Sequence, residues 1–376
     1  MAQTLLLQGN EACAEGALYA GCRFYGGYPI TPSSEIAEYL ARKLPLAGGT
    51  FVQMEDEIAS IASIIGASMA GVKAMTATSG PGFSLMQENL DLAAVTETPV
   101  VIVDAMRGGP STGMPTATGQ GDYMQARWGS HSDHPVVVLA PAGAQEMFDL
   151  TVKAFNIAEA LRLPVVLLPE AVVSHIREAV RIPDPGEMEV IDRYQPDDYE
   201  GNGFFRRDER GLAYPPVLGS GFHPHYTGLA HAEDGFPSND PGVVRKFVEG
   251  LNQKVAKNLD LVTDFEEEAV EDAEVILASF GVTGRACQHV ARLLRKQGHR
   301  VGYFRPRIVW PFPEARVREL AHTADTFVVA ELNLGQMRLE VERIACGEAR
   351  VVGLHKVDGS MLEIHEILVK VNEVLP

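Results

Sequence analysis

With 376 residues, 46% of them hydrophobic, the chain is long enough for two domains and a connecting segment, each with a buried core. A formal net charge of −18 excludes nucleic acid and anionic membrane surfaces as favoured partners, because like charge repels phosphate. No apolar run reaches the roughly 18 residues of a spanning helix, and the opening MAQTLLLQGNEACAEG lacks the basic segment of a secretory leader, so a cytoplasmic location is expected.

Residues 1–175 alternate short apolar, β-branched runs with helical patterns. Strands are predicted at Thr4–Leu7, Arg23–Gly26, Gly49–Gln53, Lys73–Ala77, Val100–Asp104, Val136–Leu139 and Pro164–Leu168. Helices are predicted at Ser33–Arg42, Glu57–Ala70, Ser84–Ala94 and Ala144–Ala160. Continuous apolar strands separated by helices imply a parallel sheet covered on both faces. Such sheets bind ligands beyond the carboxyl ends of their strands, so the loops that follow strands carry the functional signal.

Four such loops stand out. YPITPSSEIAEYL (Tyr28–Leu40) is a proline-stiffened turn whose serines can cap the next helix. QMEDEIASIASIIGASMAG (Gln53–Gly71) opens a helix with Glu55, Asp56 and Glu57. Acids in a first turn complement the helix dipole. With an apolar stripe at Ile58, Ile61, Ala62 and Ile65, Asp56 faces away from it, and both Glu55 and Glu57 flank it. MTATSGPGFSLMQENL (Met75–Leu90) bends sharply at SGPG, where a ligand can approach the backbone, but no Gly-Lys-Ser/Thr follows to make a Walker loop. In VDAMRGGPSTGMPTATGQGDYMQARWGSHSDH (Val103–His134), Arg107 ends a strand and is placed to clamp an anion, and a long glycine- and hydroxyl-rich loop follows.

Residues 182–243 lose all periodicity and are rich in Gly, Pro, Asp and His; their aromatics predict an ordered excursion that packs on something. Val244–Leu261 returns to helical character. A second αβ unit then has strands at Ala273–Ser279, His299–Phe304, Thr326–Ala330 and Arg350–Val352, and a last helix at Met361–Val374. GVTGRA after its first strand lacks the spacing of a dinucleotide fingerprint. The histidines of HSDH do not by themselves supply convergent metal ligands, so no metal site is expected in this chain. Cys13, Cys22, Cys287 and Cys346 form no C-x-x-C pair and cannot hold an iron–sulfur cluster alone.

Taken together and in order, YPITPSS, EIAS with its downstream glycine, ATSGPGFSLMQE and RGGPSTG closely resemble the alpha subunits of 2-oxoacid:ferredoxin oxidoreductases. RGGPSTG and QARWGSHSDH are most similar to the 2-oxoglutarate-specific members. RPRIVWPFP (Arg305–Pro313) and AELNLGQM (Ala330–Met337) extend the resemblance to the second unit. The resemblance implies an α/β protein: a thiamine-diphosphate-binding, pyrimidine-type domain over 1–181, a connecting segment over 182–265, and a transketolase C-terminal-like domain over 266–376.

It further implies that Glu57 hydrogen-bonds the aminopyrimidine of thiamine diphosphate. Tyr28, Pro29, Ile30, Ser79 and Gly80 would line the cofactor, and Thr31 and Arg107 would bind the 2-oxo acid. Apart from the resemblance, the HSDH histidines themselves offer His131 or His134 as a partner for the distal carboxylate of 2-oxoglutarate in place of a metal role. The implied reaction is oxidative decarboxylation to succinyl-CoA, with electrons leaving for ferredoxin. The family's G-D-G magnesium motif is here Gly121-Asp122-Tyr123, with no adjacent asparagine pair downstream. Mg2+ and a [4Fe–4S] cluster are therefore expected on a beta subunit that shares the thiamine site, in a dimer of alpha–beta pairs. Branched-chain 2-oxo acids or pyruvate are the alternative substrates, and a non-catalytic assembly subunit the alternative role.

Overall fold

The computed structural model describes residues 2–375. The first unit opens with β1 Gln3–Gln8, α1 Gly9–Tyr19, β2 Phe24–Gly27, α2 Ser34–Lys43, β3 Thr50–Gln53, α3 Glu57–Met69, β4 Ala74–Thr78 and α4 Gly80–Val95. It continues with β5 Val100–Asp104, a small hairpin of β6 Arg107–Gly108 and β7 Met114–Thr118, and α5 Gln125–Trp128. It closes with β8 Val137–Leu139, α6 Ala144–Leu161, β9 Pro164–Leu167, α7 Ala171–His175 and β10 Arg177–Ile182. After the excursion come α8 Pro241–Ala256, α9 Leu259–Val262, β11 Phe265–Glu268, β12 Val275–Ala278 and α10 Thr283–Lys296. The chain ends with β13 Val301–Pro306, β14 Ile308–Trp310, α11 Glu314–Ala321, β15 Thr326–Glu331, α12 Gln336–Ala345, β16 Arg350–His355 and α13 Ile364–Asn372.

The large sheet has the order β14–β8–β9–β5–β4–β2–β3 and is parallel except for β14. Its central strands β4 and β5 are buried along their whole length, as the unbroken apolar runs require. The second sheet has the order β11–β13–β12–β15–β16, with β11 antiparallel on its edge. β14 belongs in sequence to the second unit but closes the edge of the first sheet beside β8. One apolar cluster accordingly runs from Ile61 and Phe83 in the first unit through Trp310 to Phe304 and Phe327 in the second.

Two expectations are corrected. The first predicted strand does not join the parallel sheet; β1 pairs antiparallel with β10 in a separate ribbon. Thr4 and Leu6 face outward while Leu7 is buried, so this strand is covered on one face only and cannot occupy a sheet covered on both. The buried face of α3 is also rotated from the predicted stripe. Ile58 and Ala62 are exposed, and the buried set is Glu57, Ser60, Ile61, Ile64, Ile65 and Ser68. Glu57 is therefore in phase with the core.

Residues 183–240 form no helix or strand beyond an isolated bridge between His231 and Pro237. They are nevertheless anchored. Tyr199, Phe204 and Phe222 pack edge to face. Arg193 binds Glu159 at 2.8 and 3.0 Å. Arg207 grips Glu97 at 2.8 and 2.9 Å, and Lys254 of α8 reaches the same carboxylate at 3.1 Å. Glu97 and Lys254 are fully buried. Although burial alone would raise its pKa, the two cations hold the Glu97 carboxyl below its usual range. The excursion thus packs on its own chain. No helix among the described residues is long and apolar enough to cross a membrane.

Removing one member of a buried ion pair leaves an uncompensated charge. Glu97→Ala is expected to lower unfolding stability by about 3–5 kcal/mol, read as a fall in the denaturant midpoint. An unchanged midpoint would show that the cluster does not hold the excursion.

Candidate functional site

In the large sheet, β2 leads outward to β3 on one side, and the chain then crosses back to β4 on the other. The reversal opens a crevice beyond the carboxyl ends of β2 and β4, where a doubly wound sheet places its ligand. The loops that meet there are the four marked in the sequence.

The YPITP turn leaves Tyr28, Pro29 and Thr31 exposed and Ile30 half-buried along the crevice. It is fixed from behind: Asn10 donates to the Pro32 carbonyl at 2.7 Å and Ser33 to the Ile30 carbonyl at 2.9 Å. At the start of α3, Asp56 takes the cap role and accepts from the Ala59 amide at 2.7 Å. Glu57, one residue on, turns its carboxyl inward. Burial raises its pKa, with its own backbone amide opposing the shift and Asp56 adding to it.

The SGPG segment starts α4, with Pro81 in its first turn. A Cβ on Gly82 would stand 2.1 Å from Thr78 Oγ1 and 2.3 Å from Glu57 Oε1. Only glycine therefore lets α4 close over the Glu57 carboxyl. Ser79 is fully buried, and its hydroxyl donates to the Ala105 carbonyl at 2.7 Å, so it holds the loop together.

Arg107 does not end the strand as expected: β5 stops at Asp104, and Arg107, buried, opens β6 opposite Thr118. It donates to the Thr31 carbonyl at 2.7 Å and the Thr112 carbonyl at 2.8 Å, while its Nε has no partner. The structure thus brings Arg107 and Thr31 together, with the guanidinium bridging two loops. A cavity of about 600 Å³ opens beside it, lined by Gly80, Ser84, Arg107, Ser111, Asp122 and Gln336 among others.

Asp122, noted in the sequence only for its place in Gly121-Asp122-Tyr123, lines this cavity, and Asp104, which sequence reasoning did not single out, lies behind it. Asp104 is fully buried at the end of β5, and neither of its oxygens has a conventional donor. It meets Asp122, whose Oδ2 is likewise buried and unpartnered. Burial and the Asp122 charge push Asp104 well above the carboxylate range, against Gly80 and Arg107. Burial raises Asp122 to about 6, with Asp104 and Arg107 opposing. The available signal was an acid ending an otherwise apolar strand run.

The loop that carries Asp122 is tied to the second unit. Gln120 Nε2 donates to Glu170 at 2.5 Å and to the Phe280 carbonyl at 3.0 Å; its Oε1 accepts from the Leu332 amide at 2.8 Å. Glu170 is fully buried and also accepts from the Val282 amide. Burial raises it to about 7, against these donors. His131 and His134 are not brought to the cavity. Both ring Nδ1 atoms face Asp91, at 3.6 and 3.5 Å, far along α4 from Gly80. His131 is exposed, and His134 is buried with its pKa lowered mainly by that burial. No group of three or more His, Cys, Asp or Glu able to hold a metal occurs among the described residues.

The residues present fit a thiamine cofactor. A buried carboxyl with a raised pKa waits beneath a glycine helix start, and a Cβ there would fill the cradle. Comparison with known proteins agrees. Residues 15–249 match the family described as pyruvate flavodoxin/ferredoxin oxidoreductase, thiamine-diphosphate-binding, and residues 273–367 match pyruvate:ferredoxin oxidoreductase core domain II. The 2-oxoglutarate synthase subunit KorA of Methanothermobacter marburgensis is 47% identical over 99% of both chains. The solved 2-oxoglutarate:ferredoxin oxidoreductase of Magnetococcus marinus, with 2-oxoglutarate, coenzyme A and succinyl-CoA bound, superposes with a TM-score of 0.92 at 33% identity. That match covers 98% of this chain and 65% of the longer one. A split-gene transketolase, at TM-score 0.56 and 13% identity, shares the fold alone. The chain belongs to the pyruvate flavodoxin/ferredoxin oxidoreductase family, as its thiamine-diphosphate-binding domain followed by core domain II.

Proposed function

We propose that this chain is the alpha subunit of a 2-oxoglutarate:ferredoxin oxidoreductase that forms succinyl-CoA and CO2 and passes electrons to ferredoxin. The observation that carries the reading is the Glu57 carboxyl, buried in phase with the core of α3 and covered by Gly82. The near-full-length likeness to a 2-oxoglutarate synthase subunit supports the substrate. So does the likeness to a structure with 2-oxoglutarate bound.

Thiamine diphosphate, when bound, supplies the carbon centre that adds to a 2-oxo group and carries the electron pair once CO2 leaves. The chain's own residues set up that chemistry. Glu57 holds a proton at the aminopyrimidine nitrogen, which a buried, pKa-raised carboxyl does better than a solvated one. Tyr28, Pro29, Ile30, Ser79 and Gly80 form the loops against which the cofactor lies. Arg107 brings positive charge to the cavity wall and fixes the Thr31 turn, so the 2-oxo acid carboxylate meets a positioned guanidinium. The Mg2+–diphosphate site and the [4Fe–4S] cluster belong to a beta subunit that closes the crevice, in a dimer of alpha–beta pairs. Ile58 and Leu85, both exposed on the helices that open at the crevice, suit a covering partner.

Co-expression with the beta subunit and supply of thiamine diphosphate, Mg2+ and coenzyme A should give anaerobic viologen reduction with 2-oxoglutarate. Pyruvate and 2-oxoisovalerate should give little, and the alpha chain alone none. Preference for another acid would overturn the substrate assignment. Glu57→Gln should cut kcat by about 100-fold or more while cofactor is retained; undiminished turnover would remove Glu57 from the chemistry. Gly82→Ala should displace Glu57 or Thr78 and lower the thiamine diphosphate content of the purified complex, measured by extraction; full occupancy would refute the cradle.

A further inference from the structure

We infer that Asp104 and Asp122 share a single proton at the wall of the substrate cavity and act as positioning residues that set its charge for an anionic substrate. The inference rests on the proposed function, because it needs a 2-oxo acid in that cavity. Two carboxylates are both acceptors, so a contact between them forms a hydrogen bond only if one is protonated. Asp104 is sealed from solvent, and neither of its oxygens has a conventional donor, so no water-exposed route relieves a second charge. At neutral pH, like charges at such a site do not both persist.

The surroundings explain the consequence. The charged groups acting on the pair are each other and Arg107 from β6. The Gly80 amide at the start of α4 adds a dipole, and Glu57 of α3 lies beneath the same helix start at Gly82. Ser84, Gln125, Asn333 and Gln336 complete the wall as polar, uncharged groups. Arg107 spends its Nη donors on the carbonyls of Thr31 and Thr112, so its charge is balanced through space. With one shared proton, the pair and Arg107 sum to zero. With both carboxyls ionised, they sum to −1 and repel a substrate that is itself an anion. Asp122 faces the cavity and Asp104 backs it; both act through Arg107 and the field they set.

The sign follows. Deprotonation of the pair with rising pH weakens anion binding, so KM for 2-oxoglutarate in the complete alpha–beta enzyme should rise as pH increases above about 6. A unit charge near the substrate sets the rise on the order of tenfold. In Asp122→Asn the substituted amide donates to Asp104 and holds it ionised, so the charge of the group no longer changes with pH and the KM profile should be flat within about twofold. Asp104→Asn should behave alike. A purely structural role would shift KM equally at every pH. A rise in either variant parallel to the parent, or a flat profile in the parent, would overturn the inference. A parent complex inactive on 2-oxoglutarate would instead overturn the proposed function. Infrared spectra of the complex with 13C-labelled aspartate then test the pair without turnover. A carboxylic-acid carbonyl band at neutral pH, lost in both variants, would support the shared proton; its absence from the parent would refute it.

Discussion

A single buried carboxyl, Glu170, joins the parts on which the site depends. It follows β9 of the large sheet, takes the side-chain amide of Gln120 from the cavity loop, and caps the start of the second unit through Val282. Gln120 in turn bonds the second unit's backbone after two of its strands, at Phe280 and Leu332, and its own backbone carbonyl accepts from Asn333. In a buried network every member must be satisfied, because each orphan carries its full desolvation penalty. The loop from Gly119 to Tyr123 therefore has one arrangement, and Asp122 is delivered to the cavity by contacts made some distance from it. The second unit is more than an appendage: its β14 closes the first sheet, and Trp310 Nε1 donates to the Tyr123 carbonyl at 3.0 Å.

The shielded carboxyls that hold the segments together differ from those near the site. Glu97 and Glu146 are met by cations, Lys254 and Arg207 in one case, Arg305 and Arg307 in the other, and their pKa values are lowered despite burial. These pairs tie segments together. Glu57, Asp104, Asp122 and Glu170 are raised, burial being the leading cause for each. They gather around the crevice and the loop beside it, with Arg107 the guanidinium among them. A carboxyl whose burial is left uncompensated holds a proton at neutral pH more readily, which is what a site that positions and exchanges protons requires.

The outline of the fold and most of the site loops were legible in the sequence, for a simple reason. Continuous apolar runs such as VVIVD can only be central parallel strands, and a ligand in such a sheet meets the loops after them. Those loops were rich in glycine, proline and hydroxyl residues, which punctuate locally. The side chains whose roles depend on phase were not legible in the same way. Isoleucine at 58 looked like core but is exposed, and its neighbour Glu57 is the buried one, because the α3 stripe passes through Ile61, Ile64 and Ile65. From periodicity alone Glu55 and Glu57 stood equal.

Other features lie beyond any local pattern. Asp104 and Asp122 are 18 positions apart in the chain, and nothing in either neighbourhood announces that they meet. His131 and His134 looked available for substrate but share Asp91 on the outer part of α4. The first strand read like its successors, yet it pairs with β10 because only one of its faces is covered. Sequence by itself determined the αβ alternation, the loops that carry function and the family, since these follow from runs of neighbouring residues. Tertiary structure alone decided which carboxyls lose water and which gain a cation, because desolvation and Coulomb partners come from segments far apart in the chain.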